Sequence, residues 1–466
     1  MSILIKNALI PTTDGYESTD IRLEGDRIAA IAPNLQVTDS WIDATNKLIL
    51  PGFVNAHTHS SQIWQRGLIR PLPLELWLAD VFDAAPSLSL EELYWSAVST
   101  AVDTLLSGGT CLLDHILLPW NQELEGVATV AQAYRDVGIR AFIAPLIMDE
   151  PFLAGLPRGR SHASQPYPRS AEHILALMET IIQRFHQPEV GIHIAVGPTG
   201  FHRCSDELLQ GCIELSDRYD LCRHMHLLET KAQKLLAQEK YNSSAVQHLQ
   251  QLGFLDHRTT LAHAVWLDDS DLATLAETRS TVVHNPLSNL RLGSGIAPVL
   301  KCLGAGVNVT FGCDGAASND AQDLLEVLKL ATILSTIKEP DYRQWLTCRQ
   351  TLHMATLGGA KGVNLSDQTG ELTVGKKADL VMYDLTNLSL LPRTDPIQLL
   401  ILGRPTQVVE SVWVDGKLVV ASNQPLGIQL EVLRQALVSH SQNRHPIQFQ
   451  TIQQVEPLYR SLLSNF

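Results

Sequence analysis

The feature that most constrains this chain is a series of eight short apolar runs, near 48–55, 110–114, 139–146, 191–197, 222–228, 258–263, 280–284 and 307–313, separated by helical stretches. Such alternation is the pattern of βα units feeding a parallel sheet. Parallel neighbours need long crossovers, and helical patterns such as Glu91 to Leu106 and Ala171 to Arg184 supply them. Eight parallel strands close on themselves, so the expected fold class is α/β, a (β/α)₈ TIM-like barrel. The chain has 466 residues, more than the roughly 250 that a barrel typically uses.

The two ends of the chain have a different texture. Ile3 to Ile5, Asp20 to Leu23 and Ile28 to Ile31 read as short strands, the last two joined by a Gly25-Asp26-Arg27 turn. Leu380 to Tyr383, Val408 to Val414 and Lys417 to Val420 repeat the pattern, with Asp415-Gly416 as a hairpin turn. Both ends are expected to build one small β-sandwich domain, residues 1–50 with 365–425, around a barrel of residues 51–364. Residues 426–466 are expected as a helical extension, amphipathic at Leu430 to Leu437 and Ile452 to Leu463 and without a chemical motif. Asp149 to Ser170, rich in Pro, Gly, Ser and Arg, is long for a connection and is expected to be a lid or an interface loop.

Hydrophobic residues make up 45% of the chain and charged residues 18%, the balance of a packed globular protein. There are 35 Lys+Arg against 49 Asp+Glu and no basic block, which argues against a nucleic-acid partner. The start, Met-Ser-Ile-Leu-Ile-Lys-Asn, lacks a signal-peptide pattern, and no apolar run approaches the ~18 residues that span a bilayer. A cytoplasmic protein with a small-molecule substrate and no membrane partner is expected. The seven cysteines are scattered without a C-x-x-C pair, so neither a disulfide framework nor a thiolate zinc site is suggested.

Chemistry concentrates at the ends of the apolar runs. His57-Thr58-His59 closes the first, and side chains two apart on a strand point the same way. His226, His263, His284 and Asp314 close runs five to eight. In a barrel the carboxyl ends of the strands form the mouth that holds the active site. Imidazoles and a carboxylate converging there suit a divalent ion such as zinc or iron, with a coordination position left for water. Glu229, three residues after His226, stands just beyond its strand end, where a carboxyl can shuttle a proton.

The sequences Pro51-Gly52-Phe53-Val54-Asn55-Ala56-His57-Thr58-His59, His224-Met225-His226-Leu227-Leu228-Glu229-Thr230, Ala262-His263, His284-Asn285-Pro286-Leu287-Ser288-Asn289 and Asp314-Gly315-Ala316-Ala317-Ser318-Asn319 resemble those of the amidohydrolase superfamily. Within it the match is to the branch of S-adenosylhomocysteine and methylthioadenosine deaminases, guanine and 8-oxoguanine deaminases, and triazine hydrolases. The resemblance runs from about residue 3 to 420. It implies His57, His59, His226 and Asp314 as metal ligands, Glu229 as the proton shuttle, and His263 as the group that orients the attacking hydroxide. Asp314 doubles as the acceptor of the water's proton. Binuclear members of the superfamily carry a carboxylated lysine at the end of strand four; this chain reads Gly197-Pro198-Thr199-Gly200 there, so one metal ion is expected, zinc first and iron second.

The resemblance further implies a hydrolytic deaminase of an amino-substituted N-heteroaromatic ring, adenosine-type first, with guanine, 8-oxoguanine, pterin or triazine chemistry as the alternative. A cyclic-amide hydrolase and a non-catalytic scaffold are the readings from other classes. Glu75 and Trp77 resemble a segment that binds ribose and packs on a nucleoside, whereas Gln62 resembles a glutamine of oxopurine and triazine enzymes. Thr199 stands where adenosine-type enzymes commonly have His. With His284 and Asn289, these residues make up the candidate substrate-binding set. A homodimer or homotetramer is expected from the same resemblance.

Overall fold

The computed structural model describes residues 2–36, 40–85, 88–159, 166–442 and 447–465. Its centre is a curled parallel sheet of eight strands: Phe53–Thr58, Gly109–Ile116, Arg140–Ile147, Ile192–Ile194 continued by Gly197–Pro198, Arg223–Leu227, Thr259–His263, Thr281–His284 and Asn308–Phe311. Strands one to four pair in order, and so do five to eight. The two halves join where Val196 N–H donates to Cys222 and Val196 carbonyl accepts from His224, both at 2.9 Å. At the other seam Asp314 N–H donates to the His57 carbonyl at 2.9 Å. That approach requires Gly312, because a Cβ there would lie 2.7 Å from His57 Cβ. An apolar plug that includes Val54, Leu113, Phe142, Ala195 and Val283 gathers side chains from strands across the ring, which meet only through its interior.

One expected run proves to be two strands. Lys47–Pro51 belongs to the outer sheet and Phe53–Thr58 to the barrel. Both are buried, so hydrophobicity stays high across the change of sheet and gives no sign of it. The outer sheet has nine strands from both chain ends, and Lys47–Pro51 pairs antiparallel with Leu380–Asp384 to join them. Ile5, Ile21, Ile28, Ile49, Leu380 and Trp413 form its own core. Its hairpin at Asp415-Gly416 has positive φ at both residues, 49° and 70°, as a two-residue turn matched to strand twist requires. On the proposed division, residues 1–50 and 365–425 carry this sheet and 51–364 the barrel.

Sheet and barrel are tied by Arg140, the first residue of the third barrel strand. Its guanidinium, 2% exposed, is gripped by Asp379 and Asp415, and Lys377 Nζ lies 2.7 Å from Asp415. Removing one partner of a buried ion pair leaves the other charge without compensation, which costs about 3–5 kcal/mol. Arg140→Ala is therefore expected to lower unfolding stability by that amount, read from the denaturant midpoint at constant slope. A change below ~1 kcal/mol would refute the clamp.

The C-terminal segments have a packing role that their sequence does not advertise. Helix Ile452–Leu462 lies on helix Leu74–Ala84, burying Val455 against Leu76 and Ala79. The Asp83 carboxylate accepts from the N–H groups of Gln450 at 2.6 Å and Thr451 at 2.8 Å, and from the Thr451 hydroxyl at 2.6 Å. The loop expected as a lid starts out fastened: Asp149 accepts from Ser205 N–H at 2.8 Å, and Phe152 and Leu153 join the cluster under the C-terminal helix. Residues 160–165 of that loop lie outside the described residues. Among the described residues, no helix is long and apolar enough to cross a membrane.

Candidate metal centre and catalytic cavity

The barrel brings the strand-end histidines together around one carboxylate. His57 Nε2 and His59 Nε2 each lie 3.3 Å from Asp314 Oδ1, and His226 Nε2 lies 3.2 Å from His59 Nε2. One ligand atom from each of His57, His59 and Asp314 falls within 4.8 Å of the others, and the same holds for His57, His115 and His226. His263 and Asp314 both adopt positive φ, 73° and 61°. Non-glycine residues hold such conformations only where the surroundings impose them, and here the strain sits at the barrel mouth.

Outer hydrogen bonds leave the Nε2 atoms facing inward. His59 Nδ1 donates to the His115 carbonyl, and His226 Nδ1 donates to the Thr199 carbonyl at 2.7 Å. His57 Nδ1 lies 2.8 Å from His224 Nε2, and His224 Nδ1 lies 2.6 Å from Thr260 Oγ1. Such partners orient metal-ligating imidazoles and fix their tautomer. Burial lowers the His57 pKa to about 4 and that of His226 well below its ordinary value, which keeps both in the neutral form that ligates. Burial alone would raise the Asp314 carboxyl, but the close approach of His57, with His263 and His59 nearby, outweighs it and holds the group well below the carboxylate range.

A buried ring nitrogen without a hydrogen-bond partner is uncommon, and His57 Nε2 is one, beside a carboxylate oxygen and a second imidazole. This donor set fits one divalent cation, held by two histidines and an aspartate with His226 alongside. The described end of the fourth strand carries no lysine that could bridge a second ion.

Glu229 and His263 stand over this cluster. Glu229 is 3% exposed, its Oε2 3.6 Å from His263 Nε2 and its Oε1 3.4 Å from the Ser294 hydroxyl. Burial, reinforced by the charges of Asp314 and Glu75, pushes its carboxyl well above the usual carboxylate value. It does not cap the helix that follows; Thr230 does, accepting from Gln233 N–H at 3.3 Å. His263 Nδ1 donates to Asn289 Oδ1 at 2.8 Å, which turns Nε2 toward Glu229 and Asp314. Glu229, His263 and Asp314 border a cavity of about 420 Å³ with an apolar wall that includes Trp77, Leu78, Val81 and Leu117. The volume suits a small organic ligand.

Of the expected substrate-binding residues, Gln62, Trp77 and Thr199 line this cavity. Three do not: Glu75, His284 and Asn289 lie outside its lining. Glu75 is buried beside the cavity with Oε1 accepting from the Thr230 hydroxyl at 2.6 Å, because it sits on the flank of helix Leu74–Ala84 whose Leu74, Trp77, Leu78 and Val81 face inward. Asn289 is engaged with His263, and His284 is enclosed behind it, 1% exposed. Sequence reasoning also passed over His115 and His224. The second run was ended at residue 114, but the strand continues to Ile116 and puts His115 at the cluster; His224 is two residues before His226 and shares its face.

The chain matches the amidohydrolase family over residues 48–419. It belongs to that family. It is 33% identical over 423 residues, 90% of this chain and 94% of the relative, to a 5-methylthioadenosine/S-adenosylhomocysteine deaminase of Thermococcus sibiricus. It is 32% identical, over 94% of this chain and 96% of the relative, to a 5'-deoxyadenosine deaminase of Methanothermobacter thermautotrophicus. Among solved structures it resembles an adenosine deaminase of Xanthomonas campestris with bound zinc, at a TM-score of 0.84, 25% identity and coverage of 95% and 99% of the two chains. It also resembles a triazine hydrolase of Arthrobacter aurescens, at a TM-score of 0.86, 25% identity and coverage of 94% and 99%. The amidohydrolase described here is thus a metal-dependent hydrolase of this family, with its cation centre at the mouth of the barrel.

Proposed function

We propose that this amidohydrolase deaminates an adenosine-type nucleoside by adding water across a ring C=N bond. The observation that carries the reading is the placement of Glu229 and His263 over the His57, His59 and Asp314 cluster within one cavity. Similarity to deaminases of methylthioadenosine, S-adenosylhomocysteine and 5'-deoxyadenosine supports the nucleoside over other rings. When bound, a divalent cation polarises water enough to provide a nucleophile near neutral pH. Asp314 takes the proton released, and His263 Nε2 holds the oxygen toward the ring carbon. Glu229, whose buried site favours the protonated form, gives its proton to the adjacent ring nitrogen as the C=N electrons move there. The carbon becomes tetrahedral; the amino group takes the proton held on Asp314, its C–N bond breaks to release ammonia, and the hydroxyl proton passes to Glu229 as the ring carbonyl forms.

A second reading, an oxopurine, pterin or triazine substrate, is favoured by Gln62, which lines the cavity while its Oε1 accepts from Ala317 N–H at 3.3 Å. The nucleoside reading does not depend on Glu75, whose carboxylate is engaged by Thr230. Ammonia release over adenosine, methylthioadenosine, S-adenosylhomocysteine, guanine, 8-oxoguanine, pterins and aminotriazines separates the two. The nucleosides are expected to lead in kcat/KM by roughly tenfold or more, ~1.4 kcal/mol of transition-state binding. Turnover of bases or triazines with no nucleoside turned over would overturn the proposal and make Gln62 the residue to substitute next. A cytoplasmic homodimer or homotetramer is part of the same proposal, to be checked by light scattering of the purified protein.

A further inference from the structure

The loop after the fourth barrel strand carries a cation that no carboxylate among the described residues neutralises. Arg203 is 9% exposed and lines the same cavity as Glu229 and Asp314. Its backbone is fixed: the N–H donates to Gly200 at 3.1 Å, and the carbonyl accepts from Asp149 at 3.3 Å and Glu150 at 3.1 Å. Its guanidinium rests near two aromatic rings, 5.7 Å from the centre of Phe82 and 5.9 Å from that of Phe152, and its Nε has no hydrogen-bond partner. The other two deeply buried arginines are paired: Arg140 with Asp379 and Asp415, and Arg223 with Asp256 at 2.6 Å. Among the described residues no carboxylate lies within ion-pair distance of Arg203, and residues 160–165 contain neither Asp nor Glu. The groups that act on it with negative sign are the Tyr167 phenol and the Cys204 thiol, both neutral at pH 7, so burial prevails and lowers its pKa.

A buried guanidinium without a counter-ion is unfavourable, and an anion arriving in the cavity would relieve it. We propose that Arg203 recognises an anionic group, a carboxylate or a phosphate, on the substituent that the substrate carries away from its reacting ring carbon. The inference rests on the adenosine-type reading. With the amino-bearing carbon at the cation centre, the sugar and its 5' substituent extend into the rest of the cavity, whose lining includes Arg203. His202, adjacent on the same loop and also lining the cavity, has a buried Nδ1 without a partner and offers a second polar contact. Arg203 is on this reading a specificity residue that takes no part in the chemistry.

The test compares S-adenosylhomocysteine, which bears a carboxylate, and adenosine 5'-monophosphate, which bears a phosphate, with methylthioadenosine, which is uncharged there. Wild type, Arg203→Gln and Arg203→Lys holoenzymes are assayed for ammonia release with metal content and circular dichroism recorded. Arg203→Gln is expected to lower kcat/KM for one or both anionic substrates by roughly 10- to 150-fold, the span of a hydrogen bond to a charged group, while changing methylthioadenosine by less than about threefold. Arg203→Lys, which keeps the charge, is expected to recover part of the loss. Whichever anionic substrate responds identifies the group. Equal loss on charged and uncharged substrates, or no loss on either anionic one, overturns the proposal and leaves the nucleoside reading intact; ammonia from none of the nucleosides overturns both. Should Arg203→Gln fail to fold, Phe152→Ala, which removes one of the two rings beside the guanidinium, must still shift the charged-to-uncharged ratio, and an unchanged ratio would count against Arg203.

Discussion

Glu229→Gln is expected to keep the fold and the metal while turnover falls by about 10²–10⁴-fold, the range for a lost general acid–base group. The amide preserves size and burial but has no proton to lend to the ring nitrogen. Burial and the neighbouring charges of Asp314 and Glu75 raise the wild-type carboxyl, so its acid form persists to higher pH than that of an ordinary carboxyl and is lost as pH rises through that raised value. The wild type should therefore show an alkaline fall in turnover that the residual activity of the variant lacks. Steady-state rates across pH, with metal content of each preparation, check this. Near-normal turnover in the metal-replete variant would exclude Glu229 as the proton carrier.

Asp314→Asn is expected to abolish stable metal binding together with activity. The carboxylate lies 3.3 Å from both His57 Nε2 and His59 Nε2 and is the one anion in the cluster. Outer-sphere partners of metal ligands typically matter by 10–100-fold in affinity, and loss of an anionic ligand should exceed about 100-fold. Elemental analysis should find one divalent ion per wild-type chain and little in the variant, and added zinc should restore the wild type after chelation but leave the variant inactive. Two ions per fully active wild-type chain would refute the mononuclear centre. Retention of the ion by Asp314→Asn would exclude Asp314 as a ligand.

Those residues could be read from the chain because the physics behind them is local. A strand sends side chains two apart to one face, so His57 and His59 converge before any partner strand is known. Eight apolar runs with helices between them leave few topologies, and a barrel collects the run ends at one mouth. Glu229 and His263 stand at such ends; position suggested the proton-shuttle role of Glu229, while the role of His263 came from the resemblance to the amidohydrolases.

What remained hidden depends on contacts between segments far apart in sequence. Residues 48–55 form one apolar run, yet the chain crosses from the outer sheet to the barrel at Gly52, and the pairing of Leu50 with Val381 decides it. Glu75 is one helical step from the cavity-facing residues, and whether it meets substrate or Thr230 is set by how helix Leu74–Ala84 is rotated against the barrel. That helix is in turn held by Thr451 and Val455, more than 360 residues further on. Asn289 carries no signal that distinguishes contact with a ligand from contact with His263. Arg203 reads as an ordinary surface charge until the fold buries it without a carboxylate. Periodicity and motif spacing thus determined the barrel and brought the candidate metal ligands to its mouth, since both follow from alternation along single strands. The rotation of the wall helix, the enclosure of Arg203 and the shape of the cavity were decided by tertiary packing, because each is a balance of burial and hydrogen bonding among segments that sequence proximity does not connect.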